Sequence, residues 1–310
     1  MHLIALLIGL VIERLATHLF HWRRLRWLDR VIDSGFQRAQ RLGNWPALIP
    51  VLLLVAILSL PVFAIMYRLG DTVQGITYLV VAVIVLLFSL GPKDIGEEVD
   101  DYCNALESED ETQIQITAKA IVEDDVPEDP RERIARVEEA VCVQANNRLF
   151  AVIFWFVVLG AVATTAGPLA AWVYRVTDLV RRRAVFSAAR AEESDGSIAR
   201  IRDAAEAVHG VLAWIPARLT ALGYATAGHA DDAIAAFRAP TEESDDTLSE
   251  QSEHLLARVG VAALALTDRP DEPISERGIR GAQAANKLVF RLLILWAVVI
   301  AAMTLYGLTR

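Results

Sequence analysis

Apolar residues in this chain gather in long unbroken runs. They do not alternate with polar ones, so the pattern gives no sign of strands. Ala47 to Tyr67 carries no charge until Arg68, and Leu288 to Leu308 has only Arg291 near its start. At 1.5 Å rise per residue, about 20 residues cross a hydrocarbon core of about 30 Å. Both runs meet that length. Ile76 to Leu90 is shorter, about 15 residues against the roughly 20 needed. Leu3 to Phe20 is mostly apolar but includes Glu13, Arg14 and His18, and reads as an uncleaved signal-anchor; a surface amphipathic helix is the alternative.

A fifth run, Leu149 to Tyr174, is interrupted at Gly167-Pro168. Proline lacks an N–H and disfavours helix at the residue before it. The run is therefore either one kinked span or a hairpin of two part-length helices, Leu149–Ala166 and Leu169–Val180. The hairpin is preferred because it returns the basic stretch Arg181-Arg182-Arg183 to the side of the other basic segments. Half-spanning helices are tolerated where protein covers their backbone.

The expected fold class is all-α: an integral membrane helical protein with cytoplasmic helical segments. Five segments follow: an N-terminal membrane block of three apolar helices (1–91), an acidic cytoplasmic helical segment (92–148), a membrane hairpin or kinked span (149–183), a second cytoplasmic helical segment (184–286) and a C-terminal transmembrane helix (287–310). In the last cytoplasmic segment Ile198, Ile201, Ala205, Val208, Leu212, Ile215, Leu219 and Leu222 recur at three- and four-residue steps, an amphipathic stripe bent or broken at Pro216. Pro127 and Pro130 mark a loop between a helix ending near Val122 and one beginning at Arg131.

Composition fits this picture. The 310 residues are 54% hydrophobic, yet 22% are charged. The positive mean hydropathy of +0.36 comes from the apolar runs and not from a large soluble core. A net charge of −9 argues against general nucleic-acid binding. Arginines cluster at 21–46, 175–183 and 275–287, beside the apolar runs, and mark the cytoplasmic side. The two cysteines, Cys103 and Cys142, form no CxxC pattern and read as free thiols.

Candidate chemistry is sparse. The chain contains no phosphate loop, GxGxxG, HExxH, GxSxG or metal-ligand cysteine spacing. Asp94, Glu97, Glu98, Asp100 and Asp101 sit at helical spacing; they could hold Mg²⁺, but a solvated helix surface is the simpler account. His209 lies beside the apolar stripe, where a satisfied buried or interfacial histidine is expected before a ligand. Glu13 and Arg14 would be membrane-costly and are read either as a ligand or partner contact or as a pair near the headgroups. No metal, cofactor or catalytic group is expected.

Several segments occur together in a recognisable order: Ile12-Glu13-Arg14-Leu15, Gly91 to Asp110, Val137 to Asp178, and Trp214-Ile215-Pro216-Ala217-Arg218-Leu219. With these the chain resembles the AmpE family, inner-membrane proteins associated with β-lactamase induction. More distantly it resembles the CobD/CbiB family, membrane enzymes that attach the aminopropanol arm in cobalamin synthesis. The likeness covers most of the chain. The Arg-Asp-Thr stretch of the cobalamin enzymes is replaced by Val122-Glu123-Asp124-Asp125-Val126-Pro127, and the place of their acidic pair reads Val208-His209-Gly210. Glu13, Val137-Glu138-Glu139, Asn147, Tyr174-Arg175 and Pro216-Ala217-Arg218 persist.

The resemblance implies a non-enzymatic signalling or sensor protein of the bacterial inner membrane, acting on β-lactamase induction and cell-wall recycling. The alternative it implies is a membrane-bound ligase or transferase acting on a large anionic substrate. The ligand-binding candidates are Glu13, Arg14, Glu138, Glu139, Asn147, Arg175, Trp214 and Arg218. Expected partners are the lipid bilayer and a cell-wall-derived small ligand or a protein, with no nucleic acid. For Trp214, Pro216 and Arg218 a structural account competes: an interfacial anchor, a helix bend, and a helix cap or lipid-headgroup contact.

Overall fold

A computed structural model describes residues 26–41, 45–72, 76–90, 94–122, 125–163, 165–190, 196–240, 246–267 and 269–306. Leu3–Phe20, and with it Glu13 and Arg14, lies outside the described residues. Within them every regular element is helical and no strand occurs. Twelve α-helices are described: α1 (Arg26–Arg41), α2 (Leu48–Thr72), α3 (Ile76–Ser89), α4 (Ile95–Ser108), α5 (Glu111–Val122), α6 (Pro130–Ala145), α7 (Ala151–Val162), α8 (Ala166–Ala188), α9 (Gly196–Ala227), α10 (Ala230–Arg238), α11 (Leu248–Leu264) and α12 (Ile274–Leu305). A single π-helical turn, Asn146–Phe150, joins α6 to α7.

Local chemistry sets the helix starts. Asp129 accepts from the Arg131 and Glu132 amides, and Pro130 occupies the first turn of α6, where no N–H partner is needed. Thr247 and Glu250 form a reciprocal capping box at α11. Asp94, from the acidic run considered for Mg²⁺, caps α4 through the Gly96 amide at 3.1 Å. Among the described residues no group of three or more His, Cys, Asp or Glu is placed to hold a metal ion.

Among the described residues three helices are long and apolar enough to cross a membrane: Leu48–Arg68, Pro130–Val162 and Ile274–Leu305. The outer surfaces of α2 and α12 are apolar, with Leu53, Ile57, Leu60, Ile294 and Val298 exposed. This is the reverse of a soluble helix and fits contact with lipid. The third apolar run forms the shorter helix α3.

The fifth run is not one helix. Helix α7 ends at Val162, α8 begins at Ala166, and α8 packs back along α7. The break thus precedes Gly167-Pro168. Both residues fall in the first turn of α8, where the proline removes no helical hydrogen bond. Gly167 is there for contact: a Cβ on it would lie 2.6 Å from the Phe156 carbonyl oxygen and 3.1 Å from Gly160 Cα. Small residues let the two backbones approach, the usual device for helix pairs in membranes.

Three apolar clusters follow. One joins α4, α5, α6, α9, α11 and α12 around Val99, Tyr102, Val141, Tyr224 and Leu256. A second joins α3, α7 and α8 around Leu86, Phe156 and Tyr174. A third joins α1, α2 and α8 to the start of α9 around Ile32, Val176 and Ile201. Helix α9 contributes to all three.

Candidate functional site

Where the three clusters meet, charged side chains are buried. Asn146, Asn147 and Arg148 are consecutive, and all three are enclosed. They occupy the π turn, in which the Ala151 amide reaches back to the Asn146 carbonyl. Such turns shift the helical register by one residue and concentrate at functional positions. The turn is the junction between the apolar α7 and the polar α6.

Arg148 donates to Glu98 at 2.7 Å and to Gln144 at 3.1 Å. Gln144 Oε1 also accepts from Arg182 at 2.9 Å. Arg182 in turn reaches Asp178 at 2.9 Å. Asp178 is fully enclosed and also accepts from Arg175 at 2.9 Å and from Arg181 at 3.4 Å. Arg181 continues to Glu253 at 2.9 Å, and Glu253 accepts from Asn147 at 3.1 Å. Asn146 closes the path, donating to Asn147 at 3.0 Å and accepting from Thr220 at 3.0 Å. One continuous chain of hydrogen bonds, charge-assisted except at Asn146, thus ties α4, α6, the π turn, α8, α9 and α11 together.

His209 lies against this chain. Its Nδ1 is 2.8 Å from Ser249 Oγ, and its Nε2 is 3.4 Å from the Tyr174 hydroxyl and 3.8 Å from Asp178. With the proton on Nε2, toward the carboxylate, Nδ1 accepts from Ser249. Burial pushes the imidazole down to about 3, and the Arg181 charge adds to this against the opposing pull of Asp178. The ring is therefore neutral. Glu206, one turn earlier on α9, is raised by burial and by the neighbouring Glu250.

The structure brings only some of the sequence candidates together. Asn147 and Arg175 belong to the buried chain. Glu138 is buried elsewhere, paired with Arg277 across the α6–α12 contact. That pair sits directly over Gly281, where any Cβ would strike the Glu138 carboxylate. Glu139 is half-buried and pairs with Arg136 at 3.3 Å along its own helix. Trp214 and Arg218 lie on the outer face of α9, the guanidinium carbon 3.9 Å from the ring centroid.

Gln144, Asn146, Arg148, Asp178, Arg181, Arg182, Ser249 and Glu253 are not among the sequence candidates, and Glu98 enters only in the acidic run considered for Mg²⁺. Two signals point to five of them: the polar triplet Asn146-Asn147-Arg148 opening an apolar helix, and Asp178 at helical spacing from Arg175, Arg181 and Arg182.

Comparison with known proteins bears on this arrangement. The chain is 30% identical over 194 residues to the cobalamin biosynthesis protein CobD of Stutzerimonas stutzeri (strain A1501), covering 62% of this chain and 55% of that protein. The match thus spans about half the length of that relative. No solved structure matches the chain. The family described as regulatory signalling modulator protein AmpE matches residues 1–309, nearly the whole length, and the chain belongs to that family.

Proposed function

We propose that this protein is a non-enzymatic signalling or sensor protein of the bacterial inner membrane that modulates β-lactamase induction linked to cell-wall recycling. The observation that carries the reading is the family match over residues 1–309. The buried polar chain is consistent with it. Glu98, Asp178 and Glu253 each face at least one guanidinium, so these charges serve to hold helices together. Such a chain couples a membrane hairpin to two polar helices, as a signalling element requires. The polar segments face the cytoplasm on this reading, in keeping with the arginines beside the apolar runs. A cell-wall-derived small ligand or a protein partner would act on them.

The test is β-lactamase activity after inducer challenge in a strain deleted for this gene and complemented with it. An induction response altered by deletion and restored by the wild-type chain is the expected result. An unchanged response in the deletion strain overturns the reading.

A second reading rests on the CobD match: a membrane-bound ligase or transferase of the cobalamin-synthesis type acting on a large anionic substrate. Asn147 and Arg175 would bind anionic groups on this reading, although both are already engaged within the protein. Cobalamin-dependent growth of the deletion strain separates the two. A requirement for added cobalamin favours the second reading; normal growth removes it.

A further inference from the structure

We infer that the middle of α9, from Val211 to Leu222, dips into the hydrocarbon of the bilayer leaflet nearest the polar helices and presents its outer face to lipid acyl chains. The helix changes character along its length. In its first half the outward residues include Arg200 and Asp203, and the inward ones are Ile198, Ile201 and Ala205. From Val211 onward the arrangement inverts. Val211, Trp214, Ile215, Leu219 and Leu222 are exposed, Val211 at 64%, while the buried face is Ala213, Ala217, Thr220, Ala221 and Gly223. Small residues inside with large apolar residues outside is the pattern of a membrane helix.

Three observations place this face beside the membrane helices. Ala213 and Leu212 pack with Ile300 and Trp296 of α12 in the cluster that contains α3 and α7. A Cβ on Gly223 would lie 2.4 Å from Leu292 Cδ1, so α9 touches α12 close to where α12's outer face turns apolar at Phe290. Trp155 Nε1, in the middle of α7, donates to the Leu212 carbonyl at 3.1 Å. That carbonyl is the one Pro216 leaves without its helical N–H, so the helix keeps its backbone satisfied in an apolar setting.

The apolar face is about 17 Å long at 1.5 Å per residue, roughly half a hydrocarbon core. Helix α7, with 12 residues, is about as long. Arg218 folds onto Trp214, an amphipathic pair of the kind found at membrane–water boundaries. The face is thus continuous with the lipid-facing surface of α12, and its occupant is lipid.

The test uses the full chain in vesicles of phosphatidylethanolamine and phosphatidylglycerol. Single cysteines replace Val211, Ile215 or Leu222, with Arg200→Cys and Asp203→Cys as controls on the same helix. The natural thiols are both buried, and the wild-type chain sets the background. Each variant is spin-labelled and its collision rates with oxygen and with a water-soluble nickel chelate are compared. The expected oxygen-to-nickel ratio is several-fold higher at Ile215 than at Asp203. Nickel access at Ile215 equal to that at Asp203 overturns the inference in favour of water. Exclusion of both reagents overturns it in favour of a covering protein surface. Helical circular dichroism of each variant, matched to wild type, confirms that the label reports on the native fold.

Discussion

The two halves of α9 use opposite means to hold one helix. The first half buries Glu206 and His209 against the arginines and carboxylate of α8, and shows charges on its outer face. The second half buries alanines and a glycine, and shows tryptophan, isoleucine and leucine outside. Electrostatics against a neighbouring helix fixes one; close backbone packing fixes the other. Pro216 lies in the second half, where Trp155 takes over the carbonyl that the proline releases. What a side chain contributes is therefore decided by the medium its face meets as well as by its type.

Removing the charge that anchors the first half is expected to have the largest effect. Asp178→Ala leaves Arg175, Arg181 and Arg182 buried without their shared carboxylate. Breaking a buried ion pair costs about 3–5 kcal/mol. Denaturant unfolding in detergent should show that loss, together with reduced protein in membranes. An unfolding midpoint equal to wild type would mean that the arginines find other partners and that the charge chain is not what holds α8 to α9.

The second half should respond to a charge on its outer face, where the first half does not. Ile215→Glu is expected to cost about 2–3 kcal/mol if the face meets acyl chains. Arg200→Glu, at an exposed site on the same helix, should fall within about 0.5 kcal/mol of wild type. Both are read as the fraction of protein assembled in membranes. Equal effects would erase the distinction between the halves.

Protonation should then separate the halves by pH. His209 titrates near 6.5 when unfolded and is pushed down to about 3 when folded. The unfolded chain therefore binds the proton first as pH falls, and stability drops below about pH 6.5. The slope approaches 1.4 kcal/mol per pH unit, so about 2 kcal/mol is lost between pH 6.5 and 5. Of the groups facing the ring, Asp178 is held low by its arginines against the upward push of burial, and Tyr174 is pushed up by burial, away from that window; Glu206, raised by burial, gains stability as pH falls and so opposes the trend rather than causing it. In His209→Gln the slope over this window should flatten. A slope that persists would place the titrating group elsewhere.

The sequence pattern carried the helices further than it carried the site. Every apolar run in the described residues became helix, because an uncharged run of that length satisfies its backbone only as helix in an apolar medium. The stripe Ile198–Leu222 was likewise helical throughout. It misled only about direction: Ile198 and Ile201 face inward, whereas Ile215, Leu219 and Leu222 face outward. Periodicity identifies a face but does not say whether protein or lipid covers it. Arg181 and Arg182 read as members of a basic collar beside the membrane, yet both turn onto Asp178. Their partners Gln144 and Glu253 lie far away in the chain, and pairing across that separation leaves no local signature. Asn147 and Arg175 enter as candidates through the family resemblance, although the polar triplet and the spacing around Asp178 mark the same places.

The smallest expected effect tests how the second half tolerates its proline. Trp155→Phe removes the donor to Leu212 while keeping most of the ring volume, and should cost about 1 kcal/mol. Pro216→Ala supplies a backbone N–H that can take the same carbonyl. In the Pro216→Ala background the tryptophan's hydrogen bond is redundant, so Trp155→Phe should cost close to nothing there. The double-mutant cycle therefore predicts a coupling near the full hydrogen-bond value. Additive effects would show that Trp155 acts by packing alone, and that the helix around Pro216 is held by the small residues beneath it, Ala213, Ala217 and Thr220.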